Sequence, residues 1–157
     1  MDGVPVGRAL GRYAFGPRTA ASAPPVTSQG DGSCMIVVAT DAPLTARDLE
    51  RLAARAVFGL ARTGSSYSHG SGDYAIAFST AADSRTRHGE TAPRARTLLP
   101  SDAVSPLFEA ALEATEEAVY NSLLRATSVT SAIGTGEAIP VDRVIAVMRR
   151  FGRPASF

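Results

Sequence analysis

Residues 30–44, with the sequence GDGSCMIVVATDAPL, contain the change in character that decides the fold. Two turn-forming residues, Gly32 and Ser33, are followed directly by an apolar run rich in β-branched side chains. Such a run between turn-forming residues is typical of a buried strand, which we predict over Cys34–Thr40. Residues 1–32 are rich in glycine and proline, and this composition favours turns and coil.

Helices and strands are predicted to alternate after this first strand. Apolar residues recur at helical spacing over Ala46–Arg62, and Thr45 is placed to cap that helix, with Asp48 three residues on. The remaining predicted elements are a strand, a surface loop, a long helix, a turn and a last helix: Tyr74–Ser79, Thr80–Leu98, a helix beginning at Asp102 or Ser105, Ser131–Gly136 and Val141–Phe151. The buried stripe of the long helix is predicted from its apolar residues: Leu107, Ala110, Ala111, Ala114, Ala118, Leu123 and Leu124. This order of elements indicates the α/β or α+β class.

The composition is that of an ordinary globular chain. Its 157 residues fit one domain, with 45% hydrophobic and 20% charged residues. A net charge of +1 gives no electrostatic case for nucleic acid or an anionic membrane as the main partner. No apolar run approaches the roughly 20 residues that span a bilayer, and no signal peptide is visible. We therefore expect a cytoplasmic protein, with a periplasmic location left open.

The cysteine and histidine content argues against a metal or cofactor. Cys34 is the only cysteine, and His69 and His88 are the only histidines, with no run of carboxylates beside them. Strand alternation turns Cys34 away from the face of Ser33, so we expect Cys34 to be a buried small hydrophobe. Both histidines fall in predicted loops, where exposure is expected. The sequence predicts neither a metal site nor a cofactor.

The Gly32–Ser33 pair supports one specific chemistry if the peptide bond between the two residues is broken. The hydroxyl of Ser33 attacks the preceding carbonyl, and water then hydrolyses the resulting ester. The freed α-amine of Ser33 titrates near ~7.7–8 and can serve as general base for its own hydroxyl. A glycine before the serine tolerates the strained backbone that this attack requires. On the pair alone, an ordinary turn before a strand is the favoured interpretation.

Three segments resemble one known family in the same order and at compatible spacing. They are residues 30–44, residues 70–79 (GSGDYAIAFS) and residues 116–130 (EEAVYNSLLRATSVT). Residues 1–7 are similar to the tail of the α-subunit that precedes the cleavage point. On these segments the chain is identified as a member of the DmpA and β-peptidyl aminopeptidase family of self-processing serine aminopeptidases.

The resemblance implies a layered αββα fold of the N-terminal-nucleophile type, shared with ornithine acetyltransferases. It also implies release of N-terminal residues from short peptides, amides or esters. Carried onto this chain, Ser33 is the nucleophile after cleavage at Gly32–Ser33. Ser71 would hydrogen-bond the hydroxyl of Ser33, and Asp73 would orient Ser71 or the Ser33 ammonium. Ornithine acetyltransferases characteristically use threonine as nucleophile, so the serine argues against acetyl transfer.

The resemblance also divides the chain. Residues 1–32 correspond to the α-subunit tail and a linker, of which Ala20–Gly32 is the exposed part, and residues 33–157 to the nucleophile-bearing β-subunit. Family members are much longer, and their α-subunit supplies half of the layered sheet. Two expectations therefore stand: a self-processing aminopeptidase, or an inactive remnant or separately encoded subunit that needs a partner chain. Self-association or association with an α-subunit-like chain is expected in either case.

Overall fold

The computed structural model describes residues 1–10, 33–65, 67, 69–132 and 134–154, with only the backbone of Arg8. In chain order the elements are α1 (Val6–Leu10), β1 (Met35–Thr40), α2 (Ala46–Arg62), β2 (Tyr74–Ser79), α3 (Ser105–Leu124), β3 (Val129–Ser131), β4 (Gly134–Gly136) and α4 (Val141–Arg150). The chain divides into two compact units: Gly30–Ala118, and Met1–Gln29 together with Val119–Phe157. The division predicted at residue 32 stays a prediction.

The first unit is built on a parallel pair of strands. β1 pairs with β2 in the register Met35↔Tyr74 through Thr40↔Ser79. Parallel neighbours need a crossover connection, and α2 supplies it. α2 begins where the sequence predicted, because Thr45 Oγ1 accepts a hydrogen bond of 3.1 Å from the backbone N–H of Asp48. The same hydroxyl donates to the Asp48 carboxylate at 2.6 Å, so the two side chains of the predicted cap bind each other directly.

The core of this unit lies between the sheet, α2 and α3. Its buried members come from the loop after β1, from α2 and from the start of α3: Leu44, Leu52, Val104, Phe108 and Ala111. α3 runs over Ser105–Leu124, which confirms one of the two predicted starts. Its buried residues are Phe108, Ala111 and Thr115. The predicted stripe is therefore confirmed at Ala111 and wrong at four positions that are exposed: Ala110, Ala114, Ala118 and Leu123.

One face of the sheet is open, which corrects the prediction of a buried first strand. Val38 and Ala77 pack against the core, whereas the alternating positions point to solvent. The large exposed side chains of this open face, with their exposed fractions, are Met35 (75%), Val37 (65%), Tyr74 (65%), Ile76 (62%) and Phe78 (45%). β1 also begins at Met35, one residue later than predicted. The apolar run is continuous in sequence, but the described helices cover only one side of it.

The second unit is held by a separate small core. Val4, Val6 and Leu10 are buried against Val144 and Met148 of α4. The coil predicted for residues 1–32 was therefore wrong over Val6–Leu10, whereas the linker predicted over Ala20–Gly32 lies outside the described residues. The turn predicted over Ser131–Gly136 is part of a β3–β4 hairpin.

The last predicted helix is confirmed, with its end one residue early. α4 stops at Arg150, and Gly152 follows with φ of 70°, a left-handed conformation that glycine adopts without strain. No helix among the described residues is both long enough and apolar enough to cross a membrane.

Candidate active site

The three predicted site residues lie together at one end of the parallel sheet. Parallel strands start at the same edge, so the residues that precede β1 and those that precede β2 are neighbours. Ser33 stands two residues before Met35, and Ser71 and Asp73 stand just before Tyr74. The pairing extends beyond the strands themselves, because the backbone N–H of Tyr74 donates to Cys34 O at 2.9 Å. Residues far apart in sequence thereby form one cluster.

Asp73 connects the two segments of this cluster. Its Oδ1 accepts a 2.9 Å hydrogen bond from the backbone N–H of Cys34, the residue next to Ser33. Its Oδ2 accepts a 2.7 Å hydrogen bond from the hydroxyl of Ser71. Hydrogen bonds to an ionised carboxylate are about twice as strong as neutral ones. The carboxylate therefore fixes both the hydroxyl of Ser71 and the backbone that carries Ser33.

The hydroxyl of Ser33 is held by a backbone donor. The N–H of Gly72 donates to Ser33 Oγ at 3.1 Å, and Ser33 itself is exposed. A Cβ placed on Gly72 would lie 3.4 Å from Ser33 Oγ and 3.4 Å from Cε2 of Tyr74. Ser33 Oγ and the Tyr74 ring thus both border the same small volume beside Gly72. The hydroxyl lies at the rim of the open apolar face of the sheet.

The loop that leads to Ser71 is tied to α2 through Tyr67. The phenol hydroxyl of Tyr67 donates to the backbone carbonyl of Val57 in α2. Desolvation raises the pKa of the Tyr67 phenol above its ordinary value of 10.0, and the negative charge of Asp73 raises it further. The phenol is therefore neutral at physiological pH and keeps the proton that it donates.

The two histidines are exposed as expected, whereas Cys34 is less buried than expected. Cys34 is half-buried, on the opposite face from Ser33, and His69 and His88 are exposed. Gly32, the other half of the predicted cleavage site, lies outside the described residues. Sequence reasoning missed the Gly72 N–H and Tyr67. The parallel register was the signal available for Gly72, since it sets the residues before β2 beside those before β1.

The overall fold is shared with solved structures of known aminopeptidases. The chain is 35% identical to the L-aminopeptidase D-Ala-esterase/amidase of Ochrobactrum anthropi, with a TM-score of 0.70 over 77% of this chain and 34% of that one. That enzyme is described as a prototype for the serine aminopeptidases and a new variant of the Ntn hydrolase fold. A Burkholderia β-aminopeptidase matches with a TM-score of 0.66 and 34% identity, over 76% of this chain and 35% of that one. The chain is therefore an α+β protein of this Ntn-hydrolase type, as predicted.

Sequence comparison gives the particular family. Residues 1–136 match the profile described as Peptidase family S58, and the chain belongs to that family. It is 40% identical to the β-peptidyl aminopeptidase BapA of Sphingosinicella microcystinivorans, over 99% of this chain. It is 37% identical to BapA of Sphingosinicella xenopeptidilytica, over 80% of this chain. The predicted family is confirmed.

The matched region is less than half of each relative. The chain spans 40% and 32% of the lengths of the two curated relatives. The PH0078 protein of Pyrococcus horikoshii OT3 matches with a TM-score of 0.79 and 42% identity, over 98% of this chain and 39% of that protein. The similarity therefore concerns a part of the family's architecture that contains the Ser33 cluster.

Proposed function

We propose that this chain carries the nucleophile-bearing part of a self-processing aminopeptidase, with Ser33 as nucleophile. The observation that carries the proposal is the cluster at the head of the parallel sheet. There Asp73 binds both the hydroxyl of Ser71 and the backbone beside Ser33, and Gly72 donates to Ser33 Oγ. Membership of a peptidase family and similarity to named aminopeptidases support the same reaction class.

The first step is cleavage of the chain at the Gly32–Ser33 bond. Ser33 Oγ attacks the carbonyl carbon of Gly32 and gives up its proton, and the C–N bond breaks as the nitrogen is protonated. The product is an ester between the Gly32 carbonyl and Ser33 Oγ. Water hydrolyses this ester, which leaves a carboxylate on Gly32 and a free α-amine and hydroxyl on Ser33.

The processed Ser33 then acts on substrate. Its α-amine, with an ordinary pKa near ~7.7–8, accepts the proton of its own hydroxyl as Oγ attacks the scissile carbonyl. The substrate amine leaves with a proton, and water releases the N-terminal residue from the ester. The Gly72 N–H lowers the cost of negative charge on Oγ, both when the hydroxyl loses its proton and when the ester breaks. Ser71 and Asp73 keep the transferred proton and the backbone beside Ser33 in position for the reaction.

We further propose that an α-subunit-like polypeptide covers the open face of the sheet. Ser33 lies at the rim of that face, beside five large apolar side chains exposed by 45% to 75%. Contiguous exposed apolar surface of this kind marks an interaction site. The family relatives are more than twice as long as the matched region, so they contain enough additional chain to form a second layer over the sheet. In this form the substrate binds between the sheet and that second layer.

Intact mass spectrometry tests the reaction. The full chain is expressed alone and together with an α-subunit-like segment from a relative, and each sample is incubated at neutral pH. We expect a fragment beginning at Ser33, hydrolysis of a short aminoacyl amide, and loss of both in Ser33→Ala. Hydrolysis that persists in Ser33→Ala would refute the proposed nucleophile. A chain that stays whole and inactive with its partner present would favour the inactive remnant.

A further inference from the structure

We propose that Tyr67 is a positioning residue for this site. Its hydroxyl anchors the loop between α2 and β2 to the side of α2, and this anchor sets Ser71 and Asp73 opposite Ser33. The inference deepens the proposed function and rests on it for its catalytic meaning. The geometric part, which concerns where Asp73 is held, can be measured without any catalysis.

The anchor joins the loop to a rigid part of the unit. The phenol hydroxyl of Tyr67 donates to Val57 O, ten residues earlier in the chain, and lies beside the N–H of Ala61. It therefore sits at the helical hydrogen bond between Val57 and Ala61, in the last turn of α2, which ends at Arg62. α2 in turn contributes Leu52 to the core beneath the sheet. The loop is thus attached to a turn of α2 that also carries the buried residues Gly59 and Leu60.

The backbone at Tyr67 indicates that this contact holds an otherwise unfavourable conformation. Its φ is 47°, in the left-handed region that residues with a Cβ rarely adopt. A bulky residue persists there only when surrounding contacts impose it. Tyr67 is 39% exposed, so its ring is not fixed by deep burial. The hydrogen bond to α2 is the described contact that favours this conformation.

Tyr67 is also electrostatically close to the site. Desolvation raises the pKa of the phenol, and the negative charge of Asp73 raises it further. A phenolate there would be repelled by Asp73 and would lose the proton that binds Val57 O. The neutral phenol avoids both effects. The Asp73 carboxylate therefore keeps its hydrogen bonds with the Cys34 N–H and the Ser71 hydroxyl.

Amide hydrogen exchange of Cys34 tests the proposal, because that N–H reports directly on Asp73. The full chain carrying Ser33→Ala is used, so that every sample stays uncleaved whether or not the proposed function is correct. Tyr67→Phe removes only the hydroxyl. Thr63→Val is the matched control, since Thr63 Oγ1 also donates to an α2 carbonyl, that of Leu60, at 2.7 Å. Exchange at Val38 and Phe78, whose N–H groups lie within the β1–β2 ladder, monitors the fold of each variant.

We expect Cys34 to exchange about fivefold faster in Tyr67→Phe, as the loss of one hydrogen bond predicts. Thr63→Val is expected to leave Cys34 at the parent rate, and the sheet amides are expected to stay unchanged in both variants. A Cys34 rate in Tyr67→Phe equal to the parent rate overturns the proposal. An equal acceleration in Thr63→Val also overturns it, because any anchor of the loop would then serve. A general acceleration that includes Val38 and Phe78 overturns it as well.

Discussion

The contact between α2 and α3 gives a prediction whose sign can be worked from the structure. A Cβ added at Gly59 would lie 2.8 Å from Leu112 O and 2.9 Å from Thr115 Cβ. Both distances are shorter than real Cβ contacts, and the carbonyl belongs to the backbone of α3. Thr115 is held in place because its hydroxyl donates to Ala111 O at 2.7 Å. Gly59→Ala therefore forces the two helices apart.

The magnitude follows from two opposing terms. Alanine is better than glycine inside a helix by roughly 0.5–1 kcal/mol, and overpacking typically costs about 1–3 kcal/mol. We expect Gly59→Ala to lower the free energy of unfolding by about 1–2 kcal/mol. Gly7 in α1 is the matched control, since a Cβ there meets nothing within 4 Å. Gly7→Ala is expected to stabilise its own unit by up to ~1 kcal/mol.

Urea unfolding is monitored by circular dichroism, and by amide exchange at Leu52 in the first unit and Val144 in the second. These measurements give one free energy of unfolding for each unit. The reasoning is refuted if Gly59→Ala stabilises as much as Gly7→Ala does. It is also refuted if Gly59→Ala destabilises as much in a Thr115→Gly background as in the parent, because Thr115→Gly removes the Cβ that the new side chain would meet.

Three further predictions follow from other parts of the first unit. Thr45→Ala removes the cap of α2 and is expected to lower the free energy of unfolding by about 1 kcal/mol in urea, whereas Thr45→Ser is expected to restore most of it. The hydrogen bond from Thr45, with Arg51 beside it, lowers the pKa of Asp48 below 3.8. The ionised carboxylate therefore stabilises the fold above pH 3.8, and this contribution is lost as the pH falls through the lowered pKa. Acid unfolding curves should therefore be less pH-dependent below about 4 in Asp48→Asn than in the parent, and identical curves would contradict this assignment. Ser71→Ala and Asp73→Asn are each expected to slow release of the fragment that begins at Ser33 by about 10²-fold, and a parental rate in both variants would exclude them from the site.

The sequence predicted the βαβ part of the fold well because its signals are local. Thr45 and Asp48 form the hydrogen bonds that begin α2, and both residues lie within one turn of sequence. The second strand has the predicted bounds, Tyr74–Ser79. Burial was harder to predict, because it depends on what covers each face. The run that forms β1 is apolar at every position up to Ala39, yet Met35 and Val37 are exposed.

The errors in α3 and at the N-terminus have the same physical origin. α3 has alanines on several faces, so apolar periodicity does not single out the buried one. The face that is buried includes Thr115, a polar residue whose hydroxyl is satisfied within the helix and which packs where Gly59 lets α2 approach. Val6 and Leu10 are buried by Val144 and Met148, which lie more than a hundred residues away in the sequence. Long-range contacts of this kind leave no local pattern.

The residues of the candidate site could be proposed from the sequence, but the hydrogen bonds between them could not. The family segments indicated Ser33, Ser71 and Asp73, whereas the bond from Asp73 to the Cys34 N–H and the bond from Gly72 to Ser33 depend on the strand register. Backbone donors are present in every residue, so their type carries no signal in the sequence. Their positions emerge only when β1 and β2 are set side by side.

Mild periodate oxidation of the active preparation tests the proposed chemistry most directly. Periodate cleaves the carbon–carbon bond between a free amine and a hydroxyl on adjacent carbons, an arrangement that an unmodified polypeptide offers at an N-terminal serine or threonine. We expect the fragment that starts at residue 33 to become an aldehyde and hydrolysis to stop in step with that conversion. Hydrolysis that continues unchanged after complete oxidation, or that comes from a preparation with no reactive serine, would contradict the account.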